Sequence, residues 1–364
     1  MPISKRLNDI RLKELTSPRN VKNILIVKQH NQFGDMLCTL PLFAAVRKRY
    51  PSAFITLVVS PGNYKIIDFK NLYIDRFLIY DKSSAGKILK SYRQLRKIKY
   101  QIGIVPSTVS FSRTSHYINN LSGANIRVGV NKFDGKTNRN ANLLTIKKDF
   151  NWKNENRHQV LRNLDIVKQI GCDLTDKERM NIRIQYDKSE INFAKEYYKN
   201  NFPDKSRPVI IFQPGAGKAQ NRWSVVNFEK LIAKLYNQFN AYVFMICGPL
   251  DKEPIEELKN RLKKKNIECN ITSQPIRESS VMLAMSQLYI TNDTGTMHSA
   301  AFSGASVLSL FGPTKGWEWA PEKDNCKYIQ SPSENINDIS VDVVFEKAKE
   351  MLPKNFPYKK NQIH

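Results

Sequence analysis

The sequence contains no apolar run near the ~20 residues that a membrane-spanning helix needs, so a membrane-embedded protein is not expected. Its opening stretch, Met1 to Asn20, is polar and charged and lacks the apolar core of a signal peptide. Cysteine is sparse: Cys38, Cys172, Cys247, Cys269 and Cys326 are odd in number, widely spaced and include no Cys-x-x-Cys pair. That pattern argues against a disulfide framework or a zinc site and for reduced thiols in the cytoplasm. Acidic residues are outnumbered, 33 Asp+Glu against 58 Lys+Arg, for a net charge of +25. No nucleic-acid-binding module and no stripe of alternating basic and aromatic residues accompanies the surplus, so nucleic acid is not the expected partner.

What remains for so basic a chain is an acidic membrane surface or a phosphorylated ligand. The charge is uneven, because residues 1–100 hold 20 Lys+Arg and 6 Asp+Glu, a net of +14. Lysine-rich solubility and the composition bias of a low-GC genome are the competing account. The expected location is the cytoplasm, with peripheral attachment to the inner face of the cytoplasmic membrane.

At 364 residues, and roughly 100–200 residues per domain, the chain is long enough for two domains. Its 41% hydrophobic content can fill two cores. Short β-rich apolar runs at Ile24–Val27, Phe54–Val59, Arg76–Tyr80 and Gln101–Val105 alternate with helical stretches at about Met36–Tyr50 and Lys87–Lys99. This order predicts a parallel sheet covered by helices. Residues 124–159 are polar and show no clear period. Helices are expected at Leu161–Ile170, ending at Gly171, and at Glu190–Asn200. The Pro-containing stretch 201–208 reads as linker.

A second series follows, with strands at Val209–Gln213, Tyr242–Cys247, Leu288–Thr291 and Val307–Phe311. Between them, Ser224 is the expected N-cap of a helix whose apolar face is Phe228, Leu231, Ile232 and Leu235. Helices are also expected at Ile255–Lys265, Gly295–Ser303 and Val341–Leu352. The expected boundaries are 1–185 for a first domain, 186–207 for a helix end and linker, 208–340 for a second domain, and 341–364 for a terminal helix and tail. Open α/β sheets bind ligands beyond the carboxyl ends of their strands, so the ligand is expected in a cleft between the two domains.

Three loops of the second series carry candidate chemistry. In Thr291-Asn-Asp-Thr-Gly-Thr-Met-His298 a strand ends and a helix begins, and the first N–H groups of that helix are suited to a phosphate. Thr294 and Thr296 can add hydroxyl donors, Asp293 can accept from sugar hydroxyls, and His298 lies about one turn in. The alternative is an ordinary helix capped by Asp293 with His298 packed. In Pro214-Gly-Ala-Gly-Lys218, Gly215 and Gly217 permit close approach of an anion, and Lys218 and Arg222 can neutralise a diphosphate. The alternative is a basic surface loop anchored by Trp223. Phe311-Gly312-Pro313-Thr314 is a third loop at the same end of the sheet.

In the first series, Gly34-Asp35 suits a general base better than a phosphate site, since a carboxylate repels an anion. Its alternative is an N-cap aspartate. The Lys87–Lys99 helix has one apolar face (Ile88, Leu89, Tyr92, Leu95, Ile98) and many cations. The apolar side is expected to dock on its own sheet, leaving the basic side free for lipid phosphates.

Taken in order, these segments resemble glycosyltransferase family 9, the ADP-heptose:lipopolysaccharide heptosyltransferases. The likeness rests on Ile24-Leu-Ile-Val-Lys28, Gly34-Asp-Met-Leu-Cys-Thr-Leu-Pro41, Arg47-Lys-Arg-Tyr-Pro51, Gln213-Pro-Gly-Ala216, Arg222-Trp223, Asn292-Asp-Thr-Gly-Thr-Met-His298 and Leu310-Phe-Gly-Pro-Thr314. The resemblance implies an α/β GT-B fold of two Rossmann-like domains whose parallel sheets face across a cleft, the first domain binding the acceptor and the second the nucleotide sugar. It implies inverting transfer from a nucleotide sugar, ADP-heptose, to a lipopolysaccharide or glycolipid acceptor, with no cofactor and no metal. It assigns the base to Asp35 and acceptor contacts to Lys28 and Gly34. Donor contacts fall to Gly215, Lys218, Arg222, Asp293, Thr294, Gly295, Thr296, His298 and Gly312. Two departures stand out: the Lys28–Gly34 loop is one residue longer than the common pattern, involving His30 and Asn31, and Asn221 stands where many members have lysine. Rival readings are a GT-B transferase using another donor such as a UDP-sugar, and a non-catalytic nucleic-acid- or glycan-binding protein.

Overall fold

The computed structural model describes residues 12–29, 32–62, 64, 73–248 and 251–353. His30 and Asn31, in the longer loop, lie outside the described residues, as does Pro249 after the second expected strand of the second series. The chain divides into two compact units, residues 1–182 and 183–364.

The first unit is built on β1 (Asn23–Lys28), β2 (Phe54–Val59), β3 (Arg76–Ile79), β4 (Ile102–Ile104), β5 (Ile126–Phe133), β6 (Lys136–Thr137) and β7 (Ile146–Phe150). Its strands run β3-β2-β1-β4-β5, with β7 parallel on the far side of β5 and the short β6 antiparallel to β5. Leu25, Ile26, Ile55, Leu57 and Val58 are completely buried, as continuous apolar runs in a sheet covered on both faces must be. The polar middle segment therefore forms strands after all. Its β7 has the sequence IKKDF and exposes its three central residues, which hides the apolar signal a buried strand carries.

The helix expected over Met36–Tyr50 is two helices, α1 (Phe33–Leu37) and α2 (Leu40–Arg49). Pro41 sits in the first turn of α2, where its missing N–H costs nothing. Next come α3 (Ala85–Arg96), α4 (Arg113–Leu121), α5 (Gln159–Lys168) and α6 (Asp176–Met180). Gly171 follows α5 with φ of 74°, the left-handed conformation of a C-terminal cap. The docking expected of α3 is only partial: Leu95 joins the core beneath the sheet, with Ile98 packed against it. Only Ser91 and Leu95 are buried on it, while Ile88, Leu89 and Tyr92 stay exposed. Helix α3 meets the sheet at β3, the edge strand, which offers too narrow a surface to cover the whole apolar face.

The second unit opens with α7 (Lys188–Asn201). The segment expected to be helix end and linker is thus a full helix of this unit. A capping box of Asp187 and Glu190 starts it, and Ala194, Tyr198 and Phe202 are buried. The sheet has β8 (Val209–Gln213), β9 (Tyr242–Ile246), β10 (Cys269–Thr272), β11 (Leu288–Asn292), β12 (Val307–Phe311) and β13 (Cys326–Gln330), all parallel, in the order β10-β9-β8-β11-β12-β13. Around it lie α8 (Val225–Phe239), α9 (Lys252–Lys263), α10 (Ile276–Met285), α11 (Gly295–Phe302), α12 (Gly316–Trp319) and α13 (Val341–Met351). Ser224 caps α8 by accepting from the Asn227 amide. The expected face, Phe228, Leu231, Ile232 and Leu235, is buried in one core with Val344 and Ala348 of α13. Each such side chain contributes about 1.5–3 kcal/mol by leaving water. All five cysteines are free thiols. Among the described residues no helix is long and apolar enough to cross a membrane.

Candidate functional site

In both sheets the strand order reverses beside the first strand: the chain leaves β1 toward β2 but leaves β4 toward β5, and leaves β8 toward β9 but leaves β11 toward β12. Such reversals separate the following connections and open a crevice at the carboxyl ends. The candidate residues gather at these two points, one in each unit.

In the first unit Lys28 ends β1 and Asp35 lies in the first turn of α1. Lys28 Nζ stands 2.8 Å from Asp35 Oδ2 and 3.0 Å from Oδ1, and it also donates to the Pro106 carbonyl at 3.2 Å. The two side chains are 4% and 1% exposed, so the pair is held by a strong low-dielectric attraction. Asp35 is not an N-cap: that position is Gln32, which makes no side-chain cap bond. Gly34 lies in the same turn, its carbonyl accepting from the Cys38 amide. Lys28, expected to touch the acceptor, is engaged with the carboxylate and also lines the recess beside it. This shallow recess of about 10 Å³ is lined also by Gln29, Ser107 and Thr108. The Thr108 hydroxyl and the Gln29 side-chain nitrogen are buried there with no hydrogen-bond partner among the described residues. Sequence reasoning missed both, because neither Gln29 after β1 nor the loop after β4 carries a charged or glycine-rich signature.

In the second unit Gln213 ends β8 and Asn292 ends β11. Asn292 Nδ2 donates to the carbonyls of Pro214 (2.8 Å) and Gly215 (3.3 Å), and its Oδ1 accepts from the Trp223 amide, which ties two loops together. Gly215 is obligatory: a Cβ there would lie 1.7 Å from Asp251 Oδ1. Asp251, buried, accepts from Gln213 Nε2 and the Gly248 amide, both at 2.9 Å. Gly217 faces open space. Lys218 is exposed, whereas Arg222 is partly buried with its Nε donated to the Ala216 carbonyl at 3.0 Å. Trp223 is the core anchor, packed edge-on against Phe228. Gly312 makes room for Ile336, whose Cβ would lie 2.8 Å from an added side chain.

Helix α11 begins at Gly295, and its N-cap Thr294 makes no side-chain capping bond, unlike Ser84, Ser112, Ser224 and Ser340 at other helices. Asp293 is not the cap either. Its Oδ2 accepts from Asn221 Nδ2 at 2.9 Å, which also reaches Thr314 Oγ1 at 3.2 Å. Burial pushes the Asp293 carboxyl above the usual carboxylate range, opposed by the Thr314 hydrogen bond and the charge of Lys218. Asn221 Oδ1 is buried without a partner. Behind the helix start runs a hydroxyl chain. Thr296 donates to Gln213 Oε1 (2.5 Å), Thr294 meets both Thr296 (2.8 Å) and Thr291 (3.1 Å), and Tyr289 donates to the same Gln213 oxygen. Burial raises the Tyr289 phenol far above its ordinary value, which keeps it a donor. His298 is 2% exposed within α11. The structure thus gathers Gly215, Asp293, Thr294, Gly295 and Thr296 at one point. Gln213, Asp251 and Tyr289, absent from the sequence-derived set, are strand-end, distant-loop and strand-interior residues. Among the described residues no group of three or more His, Cys, Asp or Glu could hold a metal ion.

Two doubly wound units, each with a polar site at its strand-order reversal and one with an open helix start for an anion, define an α/β protein of the nucleotide-binding type. Comparison with known proteins narrows this class. The family model for glycosyltransferase family 9 (heptosyltransferase) matches residues 88–349, and the chain belongs to that family. It is a glycosyltransferase of the GT-B fold. It is 25% identical over 303 residues to lipooligosaccharide heptosyltransferase 2 of Campylobacter jejuni, covering 81% of this chain and 83% of that one. It superposes on a family 9 glycosyl transferase from Veillonella parvula with a TM-score of 0.74 at 17% identity, covering 91% and 97% of the two chains. It also superposes on the ADP-heptose heptosyltransferase II of Escherichia coli with a TM-score of 0.71 at 20% identity, covering 91% and 98%.

Proposed function

We propose that this chain transfers heptose, with inversion, from ADP-heptose to a lipopolysaccharide-core acceptor. Family membership and the heptosyltransferase relatives support the sugar and the acceptor class. The observation that carries the chemistry is the buried Asp35 carboxylate, fixed by Lys28 and opening on a recess at the reversal point of its sheet.

In this reading Asp35 accepts the proton of the acceptor hydroxyl as that oxygen attacks the anomeric carbon. The Thr108 hydroxyl and Gln29 amide, lacking partners among the described residues, orient the acceptor. The nucleoside diphosphate departs with its growing negative charge at the first N–H groups of α11, assisted by the Thr294 hydroxyl, which Thr296 braces from behind, and by Lys218. Asp293 and the free Asn221 Oδ1 receive sugar hydroxyls. His298, being buried, supports α11 from within. No step calls on a metal or a cofactor. The protein acts in the cytoplasm as a peripheral visitor to the inner face of the membrane, where its acceptor is anchored.

The test is Asp35→Asn. Transfer to a lipopolysaccharide-core acceptor is expected to fall about 10²–10⁴-fold, the typical worth of a general base, with ADP binding by calorimetry unchanged. Near wild-type transfer in that variant removes Asp35 from the role. Tighter binding of UDP than of ADP overturns the choice of donor.

A further inference from the structure

The exposed apolar face of α3 borders a groove that the transfer reaction does not use. Helices α3 and α4 lie with their starts together and their ends together. Lys82 Nζ, just before α3, donates to Thr114 Oγ1 in the first turn of α4 at 2.9 Å, and Arg96 at the end of α3 reaches the Leu121 carbonyl at 3.5 Å. Between them runs a groove of about 360 Å³. Leu78, Leu95 and Ile118 floor it, and Ile88, Tyr92, Tyr117 and Leu121 wall it. These wall residues are 36%, 36%, 42% and 47% exposed, which is unusual for four large apolar side chains sharing one groove.

The surrounding charge has a single sign. Between Asp81 and Asp134 there is no Asp or Glu, and residues 82–133 contain ten Lys and Arg. Asp81 itself is paired with Lys87 at 2.8 Å. One end of the groove is marked by Lys82 and by Arg113, whose guanidinium lies 5.6 Å from the Tyr117 ring. This is also the end at which both helices start, so their dipoles add to its preference for an anion. A second copy of the chain, at +25, is repelled from such a rim. The ends of the chain are equally unsuited: residues 1–11 carry three cations against one acid, and residues 354–364 carry three lysines and no acid. The occupant that fits is an amphiphile with an apolar tail and an anionic head.

We propose that this groove seats one hydrocarbon chain of an anionic membrane lipid, with the headgroup phosphate at the Lys82 and Arg113 end. The stretch of α3 that lines it, Ile88 to Leu95, gives it a wall about 11 Å long, enough for a short extended chain segment. The proposal stands apart from the transfer reading, because binding is measured with neither sugar donor nor acceptor present.

The experiment uses the full chain in two assays. Flotation is run with phosphatidylglycerol-containing vesicles and with pure phosphatidylcholine vesicles. Calorimetry is run with dodecyl phosphate, below its micelle concentration, and with inorganic phosphate. The wild type is expected to float with the anionic vesicles only and to bind dodecyl phosphate far more tightly than phosphate. The double variant Ile88→Ser, Leu121→Ser changes exposed positions, and its melting curve verifies folding. It is expected to lose about tenfold or more in both affinities as apolar contact is removed. Lys82→Gln with Arg113→Gln is expected to abolish the preference for anionic vesicles. Vesicle binding by the serine variant equal to wild type, or dodecyl phosphate bound no better than phosphate, overturns the proposal and leaves charge alone as the attraction.

Discussion

Lys28 and Asp35, seven residues apart in sequence, form an ion pair at 2.8 Å with both side chains almost wholly out of water. Removing one partner strands a buried charge, whereas removing both leaves only a packing problem. Lys28→Met is therefore expected to cost about 3–5 kcal/mol of stability, and the double change Lys28→Met, Asp35→Leu distinctly less. Urea unfolding of the four proteins of this cycle measures the coupling. Strict additivity shows that the pair does not hold the site together.

Thr108 presents a buried hydroxyl without a partner among the described residues in the recess beside Asp35. If it orients the acceptor, Thr108→Val, nearly isosteric, weakens acceptor use by about tenfold, the scale of one lost hydrogen bond. Thr108→Ser restores it. Steady-state kinetics with varied acceptor decide this: an unchanged kcat/KM for acceptor in the valine variant removes the role.

Gly215 and Gly217 sit two residues apart yet make opposite predictions. An alanine methyl at 215 collides with the Asp251 carboxylate, while one at 217 meets nothing within 4 Å. Gly215→Ala is expected to lower stability by about 1–3 kcal/mol through overpacking and to weaken ADP binding. Gly217→Ala leaves both nearly unchanged. Melting curves with and without ADP test the contrast.

Burial raises the Asp293 carboxyl, and this sets a sign. A carboxyl raised above its unfolded value is held protonated by the folded state where the unfolded chain has already ionised. Stability from this group is therefore present at low pH and lost as pH rises through its raised value. Asp293→Asn, which cannot ionise and can still accept from Asn221, is expected to melt higher than wild type at pH 8, with the gap closing at acid pH, while donor binding weakens. An unchanged difference across pH refutes the account.

His116 behaves oppositely. It is buried, its Nδ1 lies 2.8 Å from the Ser112 carbonyl, and its Nε2 lies 2.9 Å from Asn138 Nδ2, which also donates to the Val130 carbonyl. Burial lowers its protonation point, outweighing the Ser112 hydrogen bond. Its contribution to stability is complete above the unfolded value of about 6.5 and is lost as pH falls through the lowered one. Melting temperature is expected to fall on acidification, and His116→Asn to flatten that fall.

Much of this architecture was legible in the sequence, for reasons that can be named. The face Phe228, Leu231, Ile232 and Leu235 repeats at helical spacing and is buried as a unit. Strands β1 and β8 are continuous apolar runs that end at polar site residues. The β7 strand was not legible, because an edge position satisfied by lysines and an aspartate carries no apolar period. Periodicity also overstated the burial of α3: it reveals which residues share a face but not whether a sheet is wide enough to meet that face. Within the site, Asp35 and the Asn292–Thr296 turn were marked by residue type. Gln213, Asp251 and Thr108 acquire meaning only from neighbours 38 or more positions away for the first two, and from a missing partner for the third.

Tyr289 and Thr296 both direct their hydrogens at a single oxygen of Gln213, which leaves Thr296 able only to receive from Thr294. The Thr294 hydroxyl is thus engaged with the Thr296 and Thr291 oxygens behind the helix start. Seating an anion therefore rotates that one hydroxyl and exchanges an internal partner for an external one. Thr294 becomes a two-position latch, and replacing Gln213 with a residue that frees Thr296 to donate would set the latch open in advance.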